Sequence, residues 1–332
     1  LQWVTGVQTC ALPICIIGVS GYEENICKFI VEYIDKFVDN IEIDNIGNII
    51  VKIEGKKDKK KKIMIISHMD EVGLQVTSIL NDGRLKVKSL GSLKITNLYM
   101  QRIVFRNNEQ GIVYCDNNIN NIGIRDIGEL VIDCGYSSYL EAVNKISLGE
   151  VGTFLNNYRE GYNTIIGKAL DNRIGCSILI KIIEEKLQYD NDIYFVFTSK
   201  EEIGLKGARV ATNNIKPDIA VVIDTISTEY IKNIAIGNGV AIKISDSLSI
   251  CNEKLVNKLK EISNTKNILT QFEVTDCGAS ELGVIDESGN GVKVCGLSIP
   301  IMYGHTANCL ANKKDINSCL QLMKEFLSSN II

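Results

Sequence analysis

Two hydrophobic patterns alternate along this chain, and a third interrupts them. Ile63–Ile66, Ile193–Phe197 and Ile219–Ile223 are short, unbroken apolar runs, the texture of strands buried on both faces of a sheet. From Asn172 to Leu187 the residues Ile174, Ile178, Leu179, Ile182 and Ile183 instead recur at helical spacing, which predicts an amphipathic helix. Ile26, Phe29, Ile30, Tyr33, Ile34 and Phe37 predict another, opened by Gly21-Tyr22-Glu23-Glu24-Asn25. Ile41 to Ile53 reads as two short strands around Asn45-Ile46-Gly47-Asn48. The C-terminal part reads as helices over Glu253–Ser263 and Asp315–Leu327 with strands between them. Apolar strands alternating with helices predict an α/β fold, a sheet layered by helices on both faces.

Residues 73–164 break this texture. Leu85–Val87, Arg102–Phe105, Gly111–Tyr114, Leu130–Asp133 and Val151–Phe154 are short segments separated by Gly and Asn turns. They predict a small all-β, barrel-like insertion, with 15–72 and 165–332 forming the α/β domain around it. The run Lys56-Lys57-Asp58-Lys59-Lys60-Lys61-Lys62 falls between two strands and reads as a solvated hairpin tip. Residues 1–14 are set apart. Val4 to Ile14 looks like the translation of a common sequencing-adaptor oligonucleotide, without periodicity and without the features of a signal peptide. The expectation is that these residues stand outside the fold.

Composition narrows the partner classes. Over 332 residues the net charge is −4 and the pI about 5.5, which gives no footprint for nucleic acid. Eleven cysteines, an odd number with no C-x-x-C pair, fit free thiols in a reducing cytoplasm better than a disulfide scaffold. No apolar run reaches the roughly 18–20 residues that span a bilayer.

The candidate chemistry sits at strand ends. The chain has two histidines. His68 follows the run 63–66, and His305 follows Ile299-Pro300-Ile301-Met302-Tyr303-Gly304. Asp171 lies in Lys168-Ala169-Leu170-Asp171-Asn172-Arg173, the pair Glu201-Glu202 follows the run 193–197, and Asp224 follows 219–223. In open α/β sheets ligands bind outside the carboxyl ends of the strands, so one sheet would gather all of these at one edge. Imidazoles and carboxylates together suit a pair of divalent metals such as zinc or cobalt. A hydrolase also needs a carboxylate that is not a ligand, to take a proton from water. Adjacent Glu201 and Glu202 can divide those two tasks. Asp70, two residues after His68, is placed to hold the far ring nitrogen of that histidine.

Four motifs carry a family resemblance, which runs from Gly18 onward. They are Gly18-Val19-Ser20-Gly21-Tyr22-Glu23-Glu24, Ser67-His68-Met69-Asp70-Glu71-Val72-Gly73, Gly167-Lys168-Ala169-Leu170-Asp171-Asn172-Arg173-Ile174-Gly175-Cys176 and Thr198-Ser199-Lys200-Glu201-Glu202-Ile203-Gly204-Leu205-Lys206-Gly207-Ala208. In these the chain resembles the M42 family of dinuclear-metal aminopeptidases, the glutamyl/leucyl group sometimes labelled endoglucanase M. The resemblance implies that Asp171 bridges two metals. His68 and Asp224 would complete one site and Glu202 and His305 the other, with Glu201 as general base. It implies a mixed-sheet α/β metallopeptidase core, a dimerisation role for the inserted 73–164, and dimers assembled into a hollow dodecamer that digests short peptides.

The chain departs from the family pattern in four places. Asn172 stands where an Asp is usual. His305-Thr306-Ala307-Asn308 replaces the usual His-Ser-Pro followed by Glu. Val274-Thr275-Asp276-Cys277-Gly278-Ala279 keeps the Thr-Asp but lacks its preceding glycines. The insertion is slightly short and lacks the family's mid-insertion histidine. The last two motifs line the substrate side in relatives, which makes Asp276 a candidate substrate-binding residue, while side-chain preference does not carry over. The reading is a cytoplasmic aminopeptidase. Its rivals are a deacylase or carboxypeptidase on the same core, and a non-catalytic, oligomeric peptide-binding scaffold.

Overall fold

The computed structural model describes residues 13–115, 126–229 and 231–329. Helix α1 (Glu24–Ile34) buries Ile26, Ile30 and Ile34 along one stripe. Strands β1 (Ile41–Ile43) and β2 (Ile49–Ile53) form an antiparallel pair. The Asp44 carboxylate ties their turn by accepting from the backbone N–H groups of Ile46, Gly47 and Asn48. Strand β3 (Lys62–His68) is buried from Ile63 to its end.

Six strands then close on themselves. β4 (Gly73–Ile79), β5 (Leu85–Leu90), β6 (Arg102–Phe105), β7 (Gln110–Tyr114), β8 (Val131–Asp133) and β9 (Val151–Phe154) form an antiparallel barrel in the order β4-β5-β8-β7-β6-β9. Short helices α2 (Ile95–Leu98) and α3 (Tyr139–Val143) lie between its strands. Its core, which includes Leu74, Leu85, Phe105, Ile132 and Phe154, is separate from that of the large sheet.

The chain returns to the sheet through β10 (Arg159–Glu160) and β11 (Thr164–Gly167). It continues with α4 (Leu170–Glu184), β12 (Asp192–Thr198), α5 (Lys206–Ile215), β13 (Ile219–Ser227), β14 (Val240–Ser245) and α6 (Glu253–Lys266). It ends with β15 (Thr270–Val274), α7 (Leu282–Asp286), β16 (Lys293–Met302), β17 (Cys309–Asn312) and α8 (Lys313–Ser328). Eleven strands make one mixed sheet, β1-β2-β12-β3-β13-β16-β17-β11-β10, with β14 on β16 and β15 on β14. β12, β3, β13 and β16 are parallel neighbours, so their carboxyl ends share one edge.

The expected α/β class with a β-barrel insertion matches this architecture, and several details differ from expectation. The lysine-rich run is solvated but is not a hairpin tip, because β12 lies between β2 and β3 in the sheet. Strand β10, grouped by sequence with the insertion, pairs with β11 in the large sheet. Of the first fourteen residues, 1–12 lie outside the described residues. Pro13 and Ile14 belong to the fold: Ile14 is buried in the main core, and the Arg173 guanidinium donates to the Pro13 carbonyl at 2.5 Å. Helix α5 escapes a search for large apolar residues because its buried face is Gly207, Ala208, Ala211, Thr212 and Ile215. Among the described residues no helix is long and apolar enough to cross a membrane, and no cysteine is in a disulfide.

Candidate metal centre

The parallel register brings the predicted groups together. His68 ends β3 opposite Thr198 of β12. Val222 of β13 pairs with Ile66, which sets Asp224, two residues on, beside His68. Glu201 and Glu202 occupy the turn after β12. His305 occupies the turn after β16, where Tyr303 and His305 itself have positive φ of 57° and 56°. Asp171 stands at the start of α4, where Asp171 (ψ 106°) and Asn172 (φ −123°) leave helical geometry, so the regular helix begins at Arg173.

Two clusters of potential ligand atoms result: His68, Glu201 and Asp224 in one, Asp171, Glu202 and His305 in the other. Within each, the atoms lie within 4.8 Å of one another. Asp171 faces both. Its Oδ1 is 3.4 Å from Nε2 of His68 and its Oδ2 is 3.4 Å from Nε2 of His305. His68 Nε2 is also 3.7 Å from Asp224 and 4.0 Å from Glu201, and His305 Nε2 is 3.1 Å from Glu202. Donors about 2.1 Å from a tetrahedrally bound ion stand roughly 3.4 Å from one another, so these spacings suit shared divalent ions. Charge argues the same way. Among the described residues, the ion-pair partners of these four carboxylates are the two imidazoles, and buried negative charge in excess is costly unless cations neutralise it.

The titration behaviour follows from that imbalance. Burial pushes Glu201 far up from the usual carboxylate range; the charge of Glu202 adds to this and that of His68 opposes it. Burial also raises Glu202, against the pull of His305. Burial works against protonation of His68, but Glu201, Asp171, Asp224 and Asp70 outweigh it and lift the imidazole well above its ordinary value. His305, opposed likewise by burial, is lifted to about 11 by Asp171 and Glu202.

Asp70 does more than the sequence suggests. The acceptor nearest Nδ1 of His68 is the main-chain carbonyl of Asp70 at 3.3 Å, with the Asp70 carboxylate at 3.6 Å. That carboxylate accepts from the backbone N–H of Glu201 at 3.0 Å and of Glu202 at 3.2 Å, and from the Ser20 hydroxyl. It thus clamps the double-glutamate turn and fixes which cluster each glutamate enters. Asp276 is exposed and stands in neither cluster.

A model described as M42 glutamyl aminopeptidase matches residues 47–322. The chain belongs to the M42 glutamyl aminopeptidase family. It is similar to a protein of Acetivibrio thermocellus provisionally named an aminopeptidase, at 38% identity over 93% of this chain and 94% of that one. It is similar in structure to an aminopeptidase of the archaeon Desulfurococcus kamchatkensis, with a TM-score of 0.92 and 30% identity over 98% and 95% of the two chains. It also resembles the TET1 peptidase of Pyrococcus horikoshii, described as able to assemble into a tetrahedron or a large octahedral shell. That TM-score is 0.88, with 26% identity over 98% and 99% of the chains. This M42 chain is therefore a peptidase hydrolase of the aminopeptidase type.

Two residues support the site in ways that residue type does not announce. The main-chain carbonyl of Ser92, in the barrel, lies 2.7 Å from Nδ1 of His305; a backbone acceptor leaves no mark on residue type. Asn172 is buried, donates to the Ile223 carbonyl at 2.8 Å and accepts from Gly175 N–H at 3.2 Å. It thereby ties the start of α4 to β13 just before Asp224. An aspartate could accept from Gly175 but could not donate to Ile223, which gives this departure a role in holding the site together.

Proposed function

We propose that the chain is a two-metal aminopeptidase that removes N-terminal residues from short peptides. The observation that carries this reading is Asp171, whose two oxygens each face a different histidine at 3.4 Å. In this reading Asp171 is shared, His68 and Asp224 hold one ion, and Glu202 and His305 hold the other. Zinc or cobalt suits the mixed imidazole and carboxylate set. Bound divalent ions would supply the charge that acidifies a water and polarises the scissile carbonyl.

Glu201 is the general base. Its side chain is mostly buried beside His68 and Asp224, where its carboxylate could accept a proton from the attacking water and return it to the leaving amine. Asp70 keeps Glu201 on its cluster through the backbone bond at 3.0 Å. Like the shell-forming TET1 peptidase, the chain is proposed to work as a homo-oligomer, and its ten described free cysteines suit the cytoplasm.

Glu201→Gln tests the base. Turnover of aminoacyl-nitroanilides should fall by about 10²–10⁴-fold while bound metal, measured by elemental analysis, stays as in the wild type. Near-normal turnover would overturn the assignment. Preference for an N-acylated over a free-amine substrate would favour the deacylase reading instead.

A further inference from the structure

The two clusters are built differently. The side-chain hydrogen bonds and ion pairs of His68, Glu201 and Asp224 go to Asp70, Asp171, Thr225 and one another, all outside the barrel. The second cluster leans on the barrel at three points. The Ser92 carbonyl, just past β5, meets Nδ1 of His305 at 2.7 Å. A carbonyl only accepts, so Nδ1 carries the proton and Nε2 faces Asp171 and Glu202. Gly91 has φ +86°, and a Cβ there would stand 3.2 Å from both Cβ and Oε2 of Glu202 and 2.7 Å from Val72. Ala307, two residues past His305, is buried in the barrel core.

We propose that the Gly91–Ser92 turn is the positioning element of the second cluster, so that the barrel must be docked for the Glu202–His305 ion to bind while the His68–Asp224 ion binds without it. The proposal rests on the two-metal reading above. Gly91 lets the turn come close enough to pack on Glu202, and Ser92 sets the tautomer and plane of His305. Among the described residues no barrel group bonds directly to a side chain of the first cluster; the barrel comes no nearer than Thr153 on Glu71, beside Asp70, so the two ions should differ in affinity and in their response to changes in the barrel.

The test is a calorimetric titration of metal-free, full-length protein with zinc, with two variants and a control. His305→Nδ1-methylhistidine removes the donor to Ser92 and leaves the backbone unchanged. Gly91→Ala adds the obstructing Cβ. Gly83→Ala introduces comparable strain elsewhere in the barrel, at φ +90° and 2.9 Å from Tyr136. Both test variants should weaken the second binding step about 10–100-fold, the usual effect of losing an outer partner of a ligand, with the first step within about twofold. The control should leave the ratio of the two steps unchanged. Equal weakening of both steps, or of neither, overturns the proposal. A wild type that takes up fewer than two ions overturns the two-metal reading, and this inference with it.

Discussion

Glu281 is a fully buried carboxyl beside the site. The Thr198 hydroxyl donates to one of its oxygens at 2.6 Å, and the other has no hydrogen-bond partner among the described residues. Burial, helped by Asp224 and Asp70, pushes its carboxyl from the ordinary 4.5 to about 8, although His68 and Thr198 pull it down. A folded pKa above the unfolded one means that the stability it lends is complete below about 4.5 and lost as pH rises through about 8. Glu281→Gln stays neutral and keeps an acceptor for Thr198. In metal-free protein its thermal midpoint should match wild type near pH 5 and exceed it near pH 9, by the equivalent of about 1–3 kcal/mol; parallel curves would refute this. The histidines give a second prediction at this scale. Their carboxylate neighbours raise the proton affinity of both imidazoles, and metal needs them neutral. Zinc added to chelator-treated protein near pH 7 in weak buffer should therefore release protons, and a release near zero would count against it.

At the scale of elements, α4 and β3 are joined by a buried ionic node. Lys168 reaches both oxygens of Glu71 at 2.6 and 2.7 Å, with the Arg173 guanidinium 3.6 Å away. Gly18 N–H and the Thr153 hydroxyl also donate to Glu71 at 3.0 Å. Lys168→Met should cost about 3–5 kcal/mol in urea unfolding, because it strands a buried charge, and adding Glu71→Gln should recover part of the loss. The sequence makes this part of the fold only half legible. Unbroken runs such as Ile63–Ile66 declare central strands because burial on both faces removes the polar alternation. His68, Asp171, Glu201, Glu202, Asp224 and His305 could be singled out as candidates because imidazole and carboxylate are themselves ligand types, and the fold brings them together. Ser92 could not, since it acts through its backbone, nor could α5, whose buried face is made of small residues. The wrong hairpin at the lysine run has a similar cause: periodicity reports a strand, but not which strand lies beside it.

For the whole molecule, metal and stability are linked through the excess carboxylates. An ion that binds only the folded state adds about 2.7 kcal/mol at a hundredfold excess over its Kd. Stripping the metal with a chelator should lower the thermal midpoint by several degrees, zinc should restore it, and a midpoint indifferent to both would separate the site from the fold. The closed barrel has a consequence of another kind. The large sheet ends in strands with open ladders, β1, β10 and β15, but the described strands of the barrel leave none, and closure alone removes such edges. A neighbouring copy that meets the barrel therefore cannot extend it strand by strand. It can read only side chains, among them Met100, Leu140 and Leu148, which stand exposed. Recognition there would be written in surface residues that can be replaced one at a time without unzipping any backbone, so any such contacts could be re-specified while the large sheet stays as it is.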